Sequence, residues 1–293
     1  MITSLSRSTV TINNSRASVV KNAFDLADRV AVITGGAGLL GIRHAEAIAE
    51  MGGIPVLVDL DCDQAMTQAA KIGSEYGVKA TGLKADITKP EDVSNVLASV
   101  LENFRRIDIL INNAANNPKM DAATQKSHAS RLEKFSLETW NADLAVGLTG
   151  AFLCSQIIGA ELARRGKGVV LNIASDLSVI APDQRIYQDD TLLSDEQPVK
   201  PISYSVVKHG LIGLTRYLAT YWANRGVRVN ALSPGGVYAD QEQTFVRRLT
   251  NLIPMGRMAH QDEYEAAIVF MVSDASSYMT GANVLMDGGR TVW

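Results

Sequence analysis

The chain has 293 residues, 46% apolar and 20% charged, with 28 basic against 31 acidic side chains and a net charge of −3. That balance excludes a disordered or coiled-coil chain and offers no basic surface for nucleic acid. Two cysteines, Cys62 and Cys154, are too few for a disulfide framework or a thiolate metal site. No apolar run approaches the ~18 residues of a membrane helix, and the opening residues lack the apolar core of a secretory signal. The expectation is a cytoplasmic globular protein without nucleic-acid or membrane partners.

Residues 1–22 read as a flexible arm, too poor in apolar surface to offset the entropy of ordering, and residues 23–293 as a single domain. Beyond the arm, β-rich runs at 30–34, 55–59, 79–86, 107–112, 169–174, 228–232 and 283–286 alternate with amphipathic stretches. The latter lie at 44–51, 63–76, 90–104, 137–165, 203–225 and 262–273. This alternation predicts βαβ units, hence an α/β protein with a parallel sheet covered on both faces. Long connections follow the fourth and fifth strands, at 113–136 and 175–202. Both leave carboxyl ends of strands, where open α/β sheets bind ligands.

The first strand runs into Thr34-Gly35-Gly36-Ala37-Gly38-Leu39-Leu40-Gly41 ahead of a helix. Gly36, Gly38 and Gly41 satisfy G-x-G-x-x-G in its required strand–turn–helix context. Glycines let the backbone approach a pyrophosphate, and the helix N-terminus supplies free N–H groups and positive potential. The cradle is thus Gly35, Gly36, Gly38, Leu39, Leu40 and Gly41. The second strand ends at Asp59, whose carboxylate can accept from ribose hydroxyls and repel a 2′-phosphate. No Arg or Lys stands at Leu60, Asp61 or Cys62, so the predicted cofactor is NAD rather than NADP.

Further motifs follow in order: Asp86-Ile87, Asn112-Asn113-Ala114-Ala115, Ser175, Tyr204-Ser-Val-Val-Lys208, Ser233-Pro234-Gly235-Gly236-Val237 and Asp287-Gly288-Gly289. Together with the glycine turn they resemble the short-chain dehydrogenase/reductase family, in its compact single-domain branch. The resemblance implies a doubly wound Rossmann fold with a seven-stranded, mostly parallel sheet in the order 3-2-1-4-5-6-7. It implies that Asp86 and Ile87 border the adenine and that Asn113, Ala114 and Ala115 line the cofactor channel. Pro234, Gly235 and Val237 would meet the nicotinamide. It further implies Ser175, Tyr204 and Lys208 as the catalytic residues, with Lys208 also holding the nicotinamide ribose, and a homodimer or homotetramer.

Tyr204 and Lys208 stand four apart on a predicted helix and therefore share a face. An ammonium beside the phenol should pull its pKa down from ~10, making a usable base. The Ser175 hydroxyl would donate to the substrate oxygen. The gap from Ser175 to Tyr204 is wider than the family's usual spacing. Tyr187 lies at that spacing, but Thr191 occupies the place a lysine would need, so Tyr187 is rejected as the base. Residues 182–201 are then an insertion beside the site.

Two departures stand out. Leu39 replaces a glycine usual in the compact branch, giving a turn closer to that of sugar-nucleotide-modifying relatives. Gly147 stands where the family commonly has an Asn that holds a relay water, so that relay must be rebuilt from other groups or water. Asp183, Gln184 and Arg185, and Asn116, Asn117, Lys119 and His128, are rim residues that either touch a polar substrate or face solvent. His44, His128, His209 and His260 show no metal-ligating spacing. The expected activity is hydride transfer between a secondary alcohol or ketone and NAD on a polar small molecule, a sugar or polyol derivative. The wording of 112–117, the insertion and the Trp293 ending resemble dehydrogenases of bacterial surface-sugar and nonulosonate pathways. A sugar-nucleotide epimerase or dehydratase, and a catalytically silent NAD-binding subunit, remain as alternatives.

Overall fold

The computed structural model describes residues 18–116 and 130–293. Seven parallel strands form one sheet: β1 (Val30–Thr34), β2 (Ile54–Asp59), β3 (Thr81–Lys84), β4 (Ile109–Asn112), β5 (Gly168–Ile173), β6 (Val227–Pro234) and β7 (Asn283–Met286). Their order is β3-β2-β1-β4-β5-β6-β7, as the resemblance implied. The chain reverses direction across the sheet between β1 and β4, and the carboxyl ends of these two strands open the crevice. β1, β4 and β5 are buried along their whole length, because helices cover both faces.

One apolar layer, with Ile33, Ile48, Leu57, Ile111 and Leu171, lies under α2 (Leu39–Glu50), α3 (Cys62–Tyr76) and α8 (Glu265–Val272). The other, with Val32, Val58, Leu110, Ile158, Leu162 and Trp222, lies under α4 (Pro90–Phe104), α5 (Leu137–Arg165) and α6 (Ile202–Trp222). Fully burying each large aliphatic side chain contributes about 1.5–3 kcal/mol. Local signals set the helix ends. The Asp61 side chain caps α3 at the Gln64 N–H, Gly77 closes it at φ 68°, and Ser136 caps α5 at the Thr139 N–H.

Three expectations change. Residues assigned to the flexible arm begin a short helix, α1 (Val19–Phe24), because Phe24 finds Phe270 at 6.4 Å. The uncharged stretch between Asp143 and Glu161 makes α5, 29 residues long, long and apolar enough by length and composition to cross a membrane. Its apolar side is spent on the sheet, where Cys154, Ile158 and Leu162 are buried. A helix absent from the sequence reading, α7 (Gln243–Thr250), follows β6.

Candidate active site

The glycine turn is tight enough to require its glycines. Gly35 adopts φ 60°, and a Cβ there would lie 2.9 Å from the Ala114 Cα. A Cβ at Gly41 would collide with the Gly35 carbonyl, whereas one at Gly38 would meet only that carbonyl, at 3.3 Å. The open side of Gly38 therefore faces the start of α2, whose first-turn N–H groups have no intrahelical acceptor. This cradle fits a pyrophosphate. Leu39 opens α2 half-exposed, leaving the turn intact. The Asp59 carboxylate accepts from the Ala37 N–H at 3.1 Å, fixing the acid against the turn, and Leu60 beside it is exposed.

Other predicted cofactor residues are partly engaged with the protein itself. The Asn113 amide donates to the carbonyls of Thr34 and Gly35, both at 3.0 Å, so its side chain braces the turn rather than opening onto the channel. Ala114 and Ala115 follow at the carboxyl end of β4. Asp86 accepts from the Thr88 N–H and hydroxyl, bonds that hold its carboxyl below the usual range. The Ile87 side chain packs under Gly150 in the core. Pro234, Gly235 and Val237 form a turn pinned from two sides. The Gly235 N–H donates to the Met286 carbonyl at 2.9 Å, and Val237 bridges to Ala259.

Ser175, Tyr204 and Lys208 come together at the carboxyl end of β5. Lys208, buried on α6, donates to the Ile173 carbonyl at 2.8 Å, and its Nζ is 5.7 Å from the Tyr204 ring centroid. Ser175 acts on the Tyr204 phenol, lowering its pKa against the effect of burial. Its hydroxyl donates at 2.8 Å to Asp176, a buried carboxylate held by Arg290 at 2.7 Å.

The phenol does not behave as the sequence reading expected. Burial raises the Tyr204 pKa above the usual tyrosine value, and Asp176 adds to that rise, against a lowering by Ser175. Burial also brings the Lys208 amine down to about 8, with help from Lys200. The spacing rule supplied a cation but not the desolvation, which depends on packing. Tyr187 is no rival. It packs at a tilt against Phe245 with ring centroids 5.5 Å apart, and burial pushes its phenol up.

Residues missed by the sequence reading complete the site. Lys200, at the end of the insertion, lies over the Tyr204 ring with Nζ 3.8 Å from its centroid. Its position four residues before Tyr204 was a usable signal, hidden by the intervening Pro201. Asp143, buried on α5, accepts from the Ser203 hydroxyl at 2.5 Å. With Ala115, Asn116, Gly147, Tyr204, Val207 and Lys208 it lines a small pocket. At Gly147 the reason for the missing side chain is steric, since a Cβ would lie 2.5 Å from Val207 Cγ1. Gly147 sits in a π-helical segment of α5, Ala145–Gly150. Of the rim residues, Asn116 donates to the Ala142 carbonyl and Asp183 pairs with Arg185 at 2.7 Å, while Gln184 accepts from the Lys200 N–H at 2.8 Å. Asn117, Lys119 and His128 lie outside the described residues.

The short chain dehydrogenase family matches residues 29–187 of this sequence. The chain belongs to that family. The Enoyl-(Acyl carrier protein) reductase family matches residues 195–291. A D-threitol dehydrogenase of Mycolicibacterium smegmatis is 33% identical over 92% of this chain and 95% of its own. An NAD-dependent glycerol dehydrogenase of Listeria innocua is also 33% identical, over 92% of this chain and 96% of its own. A gluconate 5-dehydrogenase of Burkholderia cenocepacia, solved with NADP and tartrate, superposes with a TM-score of 0.80 at 27% identity, covering 93% of this chain and 98% of that one. This short-chain dehydrogenase is thus a nicotinamide-dinucleotide-dependent oxidoreductase interconverting an alcohol and a ketone.

Proposed function

We propose that this short-chain dehydrogenase oxidises a secondary carbinol of a polyol or sugar derivative with NAD, using Tyr204 as base, Lys208 as its cationic partner and Ser175 as hydrogen-bond donor. The convergence of these three side chains at the end of β5 carries the reading. Relatives named for threitol and glycerol support a polyol.

Bound NAD supplies the hydride acceptor, so alcohol plus NAD⁺ gives ketone, NADH and one proton. The chain's own residues handle that proton. The Tyr204 phenolate takes it from the hydroxyl as the carbinol C–H bond breaks. Ser175 has one proton to donate, now given to Asp176 at 2.8 Å, so it must rotate to serve the substrate oxygen. The proton leaves the phenol through the pocket shared by Lys208, Asp143 and Asn116, which takes over from the side chain absent at Gly147. Replacing Tyr204 by Phe should lower kcat by at least about 100-fold, the usual scale of general acid–base catalysis, while calorimetric NAD binding stays unchanged. Wild-type turnover in that variant would overturn the assignment. Accumulation of NADH in step with substrate consumption separates this reading from an epimerase or dehydratase, which regenerates its cofactor, and from a silent subunit.

The preference for NAD rests on Asp59, held against the glycine turn by the Ala37 N–H. Asp59→Ser should raise kcat/KM for NADP and lower it for NAD, each by about tenfold, one such factor being 1.4 kcal/mol. An unchanged cofactor ratio would remove Asp59 as the selector. The proposal includes a homo-oligomer, supported by the exposed Tyr217 and Tyr221 of α6, stacked at 5.8 Å, and exposed Phe152 of α5. The double variant Tyr217→Glu, Tyr221→Glu should lower the mass seen by light scattering.

A further inference from the structure

We propose that Lys200 is a second cation acting on Tyr204, supplied by the insertion and stacked on the phenol ring from the side opposite in sequence to Lys208, so that the base is activated by two ammonium groups. The inference rests on Tyr204 being the base. Lys200 and Lys208 stand four residues before and four residues after Tyr204. Their Nζ atoms lie 3.8 Å and 5.7 Å from the ring centroid, so the insertion lysine is nearer. A cation over an aromatic face within about 6 Å is attracted to the ring, and it stabilises the phenolate more strongly than the neutral phenol, because the phenolate carries a full negative charge.

The position is built. Lys200 is partly buried at the N-terminus of α6, its N–H held by the Gln184 side chain at 2.8 Å. Gln184 belongs to the turn Gln184–Tyr187, whose Ile186 is buried with Leu249, Ile253 and Met258 in a separate apolar cluster. The insertion is therefore anchored to α7 at one end and delivers an amine to the catalytic ring at the other.

The surrounding charges show why a second cation is useful. From the segment after β5, Asp176 faces both Tyr204 and Lys200, and it disfavours the phenolate. Arg290, from the chain's end, neutralises part of that charge at 2.7 Å. Asp143 of α5 faces Lys200, Lys208 of α6 is pushed down by Lys200, and Tyr187 of the insertion senses Tyr204, Asp176 and Arg290. Burial lowers the Lys200 amine to about 8, with Asp176 and Asp143 opposing the fall, so the ammonium is the main form at neutral pH. Lys208 alone faces both the desolvation of the phenol and the field of Asp176. The insertion residue sets a second positive charge against both.

The test compares wild type, Lys200→Met, Lys200→Gln and Lys200→Arg. Two readouts are taken: the pH profile of kcat with whichever of D-threitol, glycerol or mannitol is oxidised fastest, and tyrosinate absorbance during pH titration of the NAD⁺ complex, with Tyr204→Phe subtracted. Lys200→Met and Lys200→Gln should move the limb assigned to the base, and the tyrosinate titration, upward by about one pH unit, a tenfold change in ionisation. Lys200→Arg should stay within a few tenths of a unit of wild type. Coincident titrations in wild type and both neutral variants would overturn the proposal, whether or not KM rises. A rise in KM alone would instead make Lys200 a contact to a substrate hydroxyl. If Tyr204→Phe keeps wild-type turnover, the assignment of the base fails, whereas unmoved titrations with an inactive Tyr204→Phe overturn only the role of Lys200.

Discussion

A buried histidine behind the glycine turn gives the chain a pH dependence unrelated to catalysis. His44 lies on α2 beside Asn113, and burial drives its pKa from 6.5 to about 3, with the Asn113 side chain offsetting only part of the fall. The folded state therefore favours the neutral ring. Above pH 6.5 both folded and unfolded forms are neutral there and the contribution is complete. As the pH drops below 6.5 the unfolded chain binds a proton that the folded chain refuses, so stability falls by about 1.4 kcal/mol per pH unit. The loss continues toward pH 3. Urea midpoints measured at pH 7 and pH 5 should show that decline, and His44→Leu should reduce it. At Gly147 the expected result is steric. Gly147→Ala should cost about 1–3 kcal/mol through overpacking against Val207, and Val207→Ala should relieve most of it in the double variant.

At the scale of elements, α6 matters most because it carries both Tyr204 and Lys208. A buried polar chain ties it to the sheet. The Asn112 side-chain amide of β4 donates to Asn172 Oδ1 at 2.8 Å, and the Asn172 side-chain amide donates to Thr215 Oγ1 of α6 at 2.8 Å. These three residues are buried, so an unsatisfied member costs about 1–3 kcal/mol. Asn172→Ala should lower the urea unfolding free energy by that amount and reduce kcat, with circular dichroism unchanged. A variant with native stability would show that apolar packing alone seats the helix. The insertion depends on a different interaction, the small cluster around Ile186 and Leu249.

Across the whole molecule, the last residues reach back to the centre of the site. Arg290 and Asp176 are separated by 114 residues in sequence, yet they form an ion pair with 7% and 4% side-chain exposure. Removing one partner strands a buried charge, a loss of about 3–5 kcal/mol. Arg290→Met should therefore unfold at clearly lower urea concentration than wild type, and it should alter kcat, because Asp176 also accepts the Ser175 hydroxyl hydrogen bond. Unchanged stability would mean that water replaces the guanidinium.

The fold was legible because its signals are local and repeated. All-apolar strands such as Val30–Ile33 alternate with amphipathic stretches, and a glycine turn with Asp59 eighteen residues beyond Gly41 needs no tertiary information to be read. The Tyr204–Lys208 pair was equally legible, since four residues on a helix fix a shared face. Packing alone decided the rest. It raised the phenol by desolvation, turned Asn113 inward to brace the turn, filled the space at Gly147 with Val207, and laid Lys200 on the Tyr204 ring. Covalent neighbours and helical period determine which residues share a face. The dielectric and the charges each group meets are set by segments distant in sequence, and only the folded chain brings those together.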